Sequence, residues 1–219
     1  MHAPSTLKEP FNALTHLAGA VAAVAGGTAL VVAAAGDPWR TTSFAVYGIA
    51  SLALFAASTL LHAVRAGPRL GTWLRRADHA AIFVLIAGSY TPITLVTLRG
   101  HAAGAAWTLF AVVWALALSG VLFKLLWFRA PRWLSTALYL LLGWMALLAI
   151  GPLVRAMPAG GIALLAAGGA FYSVGAVVYA LKRPDPAPAT IGYHGLWHLL
   201  VLAGWGAHFA MLALYVLPA

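Results

Sequence analysis

Two histidines lie four residues apart near the carboxy terminus, in the segment YHGLWHLL at residues 193–200. Side chains with this spacing project from one face of an α-helix, so His194 and His198 can share a small ligand such as a metal ion. Neutral imidazole is a common zinc ligand, and three histidines with one open position are typical of catalytic zinc sites. The pair therefore predicts part of a metal site, for which the fold must supply a third ligand.

The composition indicates which elements position these residues. Of the 219 residues, 63% are hydrophobic, 8% are charged and only four are acidic, which is typical of a membrane protein. Apolar runs of about 20 residues, the length that crosses a bilayer, predict helices near 12–35, 42–64, 78–98, 103–126, 133–153, 159–181 and 194–217. We expect an all-α membrane protein whose seven transmembrane helices form a single domain over residues 1–219. The absence of cysteine excludes disulfides and cysteine-ligated zinc.

The basic residues are divided unevenly between the two sides of this bundle. The amino-terminal segment and the second, fourth and sixth loops hold ten of them: Lys8, Arg65, Arg69, Arg75, Arg76, Lys124, Arg129, Arg132, Lys182 and Arg183. The opposite loops hold Arg40, Arg99 and Arg155. By the positive-inside rule, the amino terminus is cytoplasmic and the carboxy terminus is outside. We expect the basic loops to face anionic lipid headgroups rather than nucleic acid.

This topology brings polar residues from three helices to one depth near the cytoplasmic face. His62 lies about one turn inside the end of the second helix, and Ser58 lies one turn deeper. Asp78 opens the third helix, and His194 and His198 open the seventh. Polar groups in hydrocarbon cost several kcal/mol unless they face the bundle interior and find partners. The sequence therefore predicts that His62, His194 and His198 share one cation, which we expect to be Zn²⁺.

Asp78 and Ser58 are the candidate catalytic residues beside this metal. A zinc ion with an open position lowers the pKa of its water to about 7, and Asp78 would orient or deprotonate that water. Ser58 would donate a hydrogen bond to a developing oxyanion. Two simpler interpretations stay open. Asp78 could cap the third helix, and the Ser58 hydroxyl could bond the carbonyl one turn earlier or permit close helix packing.

Three residues of the amino-terminal region are expected to support the metal site. Glu9, Asn12 and His16 have the spacing i, i+3 and i+7, which makes a stripe on one face of the first helix at its cytoplasmic end. There they could bond the ligand imidazoles and fix their tautomer. The alternative is that they form a solvated helix start.

Two further histidines are assigned to the surroundings of the site. His79 lies about 100° around the helix from Asp78, so we expect it to contact the ligand surroundings or lipid headgroups rather than the metal. His208 lies ten residues beyond His198, about 15 Å deeper, and is expected to line a cavity or a proton path.

The segment AGSYTP at residues 87–92 predicts an irregularity in the third helix. Pro92 lacks a backbone N–H and leaves one carbonyl without its helical partner, which favours a bend. Ser89, Tyr90 and Thr91 could satisfy freed backbone groups and shape a cavity wall.

These motifs resemble those of one membrane-protein family. STLLHAV (58–64), DHAAIFVLIAGSYTP (78–92) and YHGLWHLLVLAGWGAHF (193–209) resemble the bacterial hemolysin III proteins, with similarity from EPFNALTHLAGA at Glu9 to His208. That family is the prokaryotic branch of a superfamily of progestin and adiponectin receptors, related more distantly to alkaline ceramidases. The resemblance implies zinc on three histidines, an aspartate holding a water at the metal and a nearby serine. It also implies a ceramidase-like lipid amidase activity and a bacterial inner membrane location.

Three functions remain open at this point. The first is a zinc-dependent hydrolase acting on an amide or ester bond of a lipid, with a fatty acid or ceramide-like substrate. The second is a channel or cytolysin in which zinc only joins helices, in line with the cytolytic phenotype that gives the family its name. The third is a receptor-like protein whose cavity senses a lipid.

Overall fold

A computed structural model describes residues 7–127 and 129–218 of the chain. Within these residues there are seven helices long and apolar enough to cross a membrane, and there is no strand. They are α1 (Pro10–Ala33), α2 (Pro38–Ala63), α3 (Pro68–Leu98), α4 (Ala103–Leu126), α5 (Arg132–Ala156), α6 (Ala159–Leu181) and α7 (Gly192–Val216). The predicted all-α fold with seven spans is confirmed.

The third helix begins ten residues before its predicted span. It begins at Pro68, a residue favoured at the first helical position because it has no N–H to satisfy. Asp78 therefore lies inside α3, so its interpretation as the opening or capping residue of this helix is wrong. The reason is that residues 68–77 include three arginines, and hydropathy reports where a helix is apolar rather than where it begins.

Three of the spans are irregular in their middle or second half: α3, α5 and α7, which ends in a π-helical turn over Leu212–Val216. In α3, the regular helix reaches Pro92 and continues as a π-helical turn over Ile93–Leu98. In α5, a 3-10 segment at Trp144–Ala149 separates Arg132–Gly143 from Ile150–Ala156. A change of helix type leaves backbone groups without their usual partners, and these must be satisfied inside the protein at membrane depth.

Tyr90 supplies such partners across the bundle. Its hydroxyl donates to the carbonyl oxygen of Gly143 at 2.6 Å and accepts from the backbone N–H of Ala146 at 2.8 Å. Both partners lie where α5 changes from α-helix to 3-10 helix. Tyr90 thus satisfies freed backbone groups, as its position near Pro92 suggested, but those groups belong to α5 rather than to its own helix.

The first two helices approach each other closely and align their ends. Gly27 of α1 faces Gly48 of α2, and a Cβ atom on Gly27 would lie only 3.1 Å from the Cα atom of Gly48. Because α1 and α2 are antiparallel neighbours, the start of α1 lies beside the end of α2. The beginning of α7 also packs there, since Phe11 of α1 occupies the space that a side chain at Gly195 would need.

The segment before α1 is attached to the last turn of α2. The backbone N–H groups of Lys8 and Glu9 donate to the carbonyl oxygens of Ala63 and His62, at 3.2 and 2.9 Å. The Lys8 ammonium group donates to the carbonyl oxygen of Leu61 at 3.1 Å. These carbonyls belong to a helix end, where no backbone donor of the helix remains for them. The attachment holds the Glu9 side chain beside His62.

A candidate metal centre and its cavity

Three histidines from α2 and α7 converge at one end of the bundle. The ligand nitrogens of His62, His194 and His198 all lie within 4.8 Å of one another. His62 comes from the last turn of α2, and the other two occupy the first two turns of α7, one turn apart on the same face. His62 and His198 are buried, and His194 is partly buried. This group could hold a metal ion.

The spacing of the imidazoles suits a small cation. The Nε2 atoms of His62 and His194 are 3.3 Å apart. Two nitrogens bound at roughly 2.0–2.1 Å to a tetrahedral zinc ion lie roughly 3.4 Å apart. Neutral imidazoles are normal ligands for such an ion, and three of them leave one position free. The residues present therefore fit a metal of the zinc type.

Glu9 determines which nitrogen of His62 is available to a metal. The Nδ1–H group of His62 donates to Glu9 Oε2 at 2.6 Å. Because an ionised carboxylate only accepts hydrogen bonds, the proton must sit on Nδ1, which leaves the Nε2 lone pair for a ligand. The hydrogen bond from His62 also lowers the pKa of the Glu9 carboxyl well below its usual range. The carboxylate form that orients His62 is thus the stable one.

Two more contacts hold Glu9 in this position. Asn12 Nδ2 donates to Glu9 Oε2 at 3.0 Å, and the Lys8 ammonium lies 3.2 Å from Oε1. Glu9 itself precedes α1, which begins at Pro10. The spacing argument placed Glu9 on the first helix, whereas it occupies the position just before it.

His16 stacks on a second histidine of the cluster, His198. Its ring lies parallel to that of His198, with centroids 3.6 Å apart, and it meets Phe55 edge-on at 5.2 Å. His16 is only 3% exposed. The His16 ring therefore packs against α2 and α7 and restricts the plane of the His198 imidazole.

Asp78 and Ser58 lie together beside the histidines. Ser58 is buried, and both Ser58 and Asp78 line the same cavity. Asp78 Oδ2 is 4.0 Å from His79 Nε2, and its side chain keeps 14% exposure because it faces a cavity. The two residues can thus act on a molecule that enters this cavity.

One cavity of about 390 Å³ joins most of the predicted site residues. Its walls come chiefly from α3, α5, α6 and α7, and they include His16, Ser58, Asp78, His79, His194, His198 and His208. Much of the remaining wall is apolar, with Leu85, Ile86 and Val201 among its residues. The volume is within the range of about 300–1,000 Å³ that is usual for small-molecule sites. His62, Glu9 and Asn12 are not among the residues that line it.

The two remaining predicted histidines both line the cavity. The backbone carbonyl of His79 accepts a hydrogen bond from the Tyr139 hydroxyl at 3.0 Å. His208 Nε2 is 3.2 Å from the carbonyl oxygen of Leu165, and its ring fills the space beside Gly168 of α6. A neutral His208 therefore carries its proton on Nε2, since only a donor can bond a carbonyl.

Sequence reasoning missed three cations in the cavity wall, one of which is Arg75 inside α3. Lys124 and Arg132 counted as loop residues facing headgroups, but Lys124 lies within α4 and is buried, and Arg132 is the first residue of α5. Both line the cavity. A signal for Lys124 was present, because it is a single cation within the apolar run GVLFKLLWF at residues 120–128. Such a cation is costly in hydrocarbon and is therefore expected to face inward.

Comparison with known proteins agrees with the motifs. A family model described as haemolysin-III related matches residues 5–209. Hemolysin-3 of Bacillus cereus is 38% identical over 96% of this chain and 93% of its own length, and the hemolysin-3 homolog of Bacillus subtilis (strain 168) is 38% identical over 96% and 95%. The human monocyte to macrophage differentiation factor is 27% identical over 94% of this chain and 83% of its own length. The chain therefore belongs to the haemolysin-III related family of multi-pass membrane proteins.

Proposed function

We propose that this protein is a zinc-dependent hydrolase that cleaves an amide or ester bond of a membrane lipid. The observation that carries the proposal is that two of the three clustered histidines, the Asp78 carboxylate and the Ser58 hydroxyl line one largely apolar cavity. A metal site, a proton acceptor and a hydrogen-bond donor around an apolar space are the parts that lipid hydrolysis requires.

Zinc is the metal that the donor set favours. Three neutral imidazoles with no carboxylate or thiolate among them are typical of catalytic zinc, and the free position accepts water or substrate. When bound, zinc supplies Lewis acidity, which polarises a carbonyl oxygen and makes water more acidic. Glu9 and His16 act as positioning residues, because they orient His62 and His198.

Asp78 and Ser58 would perform the proton transfer and hydrogen bonding. The attacking water gives its proton to Asp78 as its oxygen bonds to the acyl carbon. Asp78 then passes this proton to the leaving nitrogen or oxygen as the C–N or C–O bond breaks. The products are a fatty acid and an amine or alcohol. The Ser58 hydroxyl, which lines the same cavity as Asp78, can donate a hydrogen bond to the developing oxyanion.

The cavity gives the acyl chain a place inside the bundle. Its apolar wall would accept one hydrocarbon chain, and its polar wall holds the reacting bond. The charge distribution favours a cytoplasmic location for this end of the bundle. We therefore place the reaction near the cytoplasmic face, in the inner membrane of a bacterium.

The first test is metal content. Elemental mass spectrometry on detergent-purified protein should find about one zinc per chain in the wild type and none in the triple variant His62→Ala, His194→Ala, His198→Ala. Zinc-loaded protein should then release fatty acid from a lipid amide or ester, and the triple variant should not. The proposal would be overturned if elemental analysis found no metal in carefully handled wild-type protein.

A second function is favoured by the position of the histidines between two helices. Because His62 belongs to α2 and His194 and His198 to α7, a metal here also joins these helices. Zinc would then be structural, and the cavity would bind a lipid as a sensor or receptor does. Stoichiometric zinc, a lower melting temperature of the triple variant and no fatty acid release from any lipid class would favour this function over hydrolysis.

A further inference from the structure

Lys124 is a buried cation with few partners. Its side chain is 2% exposed, and its ammonium group donates to the Ser135 hydroxyl. The aromatic rings of Phe123 and Tyr139 lie 5.5 and 6.0 Å from the nitrogen. In the described part of the chain, no carboxylate lies within ion-pair distance of Lys124. An ammonium has three N–H donors and is costly to bury unpaired, so this group calls for an anion.

Two arginines share the cavity wall with Lys124. Arg132 lies over the Tyr179 ring at 4.8 Å and donates to the Tyr179 carbonyl oxygen at 3.4 Å. Arg75 donates to the Gly71 carbonyl oxygen at 3.4 Å. Both guanidinium groups keep further donors, and neither has a carboxylate within ion-pair distance among the residues described. Asp78 is the single acidic residue lining the cavity in that part of the chain.

The cations and the candidate metal centre belong to one compartment. Lys124 lies in the last turn of α4, Arg132 begins α5 and Arg75 lies in the third turn of α3. All three therefore lie at the same end of the bundle as the histidines. The cavity that they line is also lined by Asp78 and Ser58. Positive charge in a low-dielectric cleft attracts anions strongly. Arg75 is exposed, but a neutral lipid would leave the buried Lys124 and the partly buried Arg132 without an anion.

We propose that Lys124, Arg132 and Arg75 form an anion-binding subsite that selects an acidic single-chain acyl lipid, whose head carries a carboxylate or phosphate. The inference rests on the proposed function for its reaction: water adds to the acyl carbon, the C–N or C–O bond breaks, and the anionic group stays on the released amine or alcohol. The volume of about 390 Å³ lies at the lower end for ligand sites and suits one chain.

The test compares two amides that differ in the charge of their head. N-palmitoylglycine carries a carboxylate, and N-palmitoylethanolamine carries a neutral hydroxyl on the same acyl chain. Binding to zinc-loaded wild-type protein in detergent is measured by calorimetry. We expect the acidic amide to bind about tenfold more tightly or better, the size of one charge-assisted hydrogen bond. Equal affinity for the two amides would overturn the proposal without any variant.

Variants then assign the selectivity to Lys124. Lys124→Gln should remove most of the preference for the acidic amide, and Lys124→Arg should keep it. Lys182→Gln, an exposed cation at the same end of the bundle, is the matched control and should behave as wild type. A preference unchanged in a folded Lys124→Gln variant would overturn the assignment. Displacement of N-palmitoylglycine by millimolar inorganic phosphate alone would identify a free-anion site instead of a lipid site.

Hydrolysis is measured separately on the same two amides. Selective binding without fatty acid release would remove the proposed function and keep the subsite. Equal binding and equal hydrolysis of both amides would remove the subsite and keep the proposed function.

Discussion

The imidazole rings of His16 and His198 lie flat against each other, with centroids 3.6 Å apart and planes inclined by 12°. His16 comes from α1 and His198 from α7, so the stack joins the first and last helices of the bundle. In the described chain, neither ring nitrogen of His16 has a hydrogen-bond partner. Its contribution to the centre is therefore the flat surface that fixes the plane of a ligand imidazole.

This relationship predicts that shape matters more than nitrogen at position 16. His16→Phe keeps an aromatic ring against His198 and should bind zinc nearly as tightly as wild type. His16→Ala frees the ligand ring and should weaken zinc binding by about tenfold to a hundredfold, the usual effect of losing a residue that orients a metal ligand. The measurement is a competition titration with a chelator. Equal weakening in both variants would mean that a His16 nitrogen is required.

Glu9→Gln tests the control of the His62 tautomer. The amide can still accept a hydrogen bond from Nδ1, but it lacks the negative charge that makes the imidazole a better ligand. We expect zinc affinity to fall by about tenfold in the chelator titration. Asp37→Asn removes the same charge at the opposite end of α2 and should leave the affinity unchanged. A fall in both variants would indicate a general electrostatic effect.

Asp78 and Ser58 are expected to affect rate rather than metal content. Asp78→Asn keeps the shape of the side chain but cannot accept a proton, so fatty acid release should fall by about a hundredfold to ten-thousandfold. Ser58→Ala should lower the rate less, since Asp78 remains. Elemental analysis should find the same zinc content per chain in both variants as in the wild type. Loss of zinc in Asp78→Asn equal to that in His198→Ala would make Asp78 a metal ligand and contradict its assigned role.

The clustering of His62, His194 and His198 could be predicted because depth in a membrane follows from helix ends. Once seven apolar runs were assigned, His62 had to lie near the end of one helix, and His194 and His198 near the start of another, at the same side of the bilayer. The i, i+4 spacing then fixed their common face. The start of α3 at Pro68 could not be predicted in this way, because its first ten residues include three arginines and do not form an apolar run.

Other features depend on contacts between distant helices and leave little trace in the sequence. The charge count assigns Lys124 to a loop, whereas the packing of α4 against α5 places it beside Ser135. The 3-10 segment of α5 begins at Trp144 in a leucine-rich run with no proline over residues 132–151, which is typical of a regular helix. Its partner, Tyr90, is more than fifty residues away.

The two hydrogen bonds of the Tyr90 hydroxyl are expected to stabilise the irregular part of α5. Tyr90→Phe removes one hydroxyl and with it two hydrogen bonds, leaving the Gly143 carbonyl and the Ala146 N–H without that partner at membrane depth. Unsatisfied buried groups cost about 1–3 kcal/mol, so the melting temperature of zinc-free protein in detergent should fall measurably.

Tyr172→Phe is the matched control, because the buried Tyr172 hydroxyl has no hydrogen-bond partner among the described residues. Because the break in α5 also shapes the cavity at Gly143 and Trp144, Tyr90→Phe should further weaken the binding of palmitoylated amides. Equal melting temperatures for the two variants would show that the backbone of α5 finds other partners and that the hydroxyl bridge does not maintain the break.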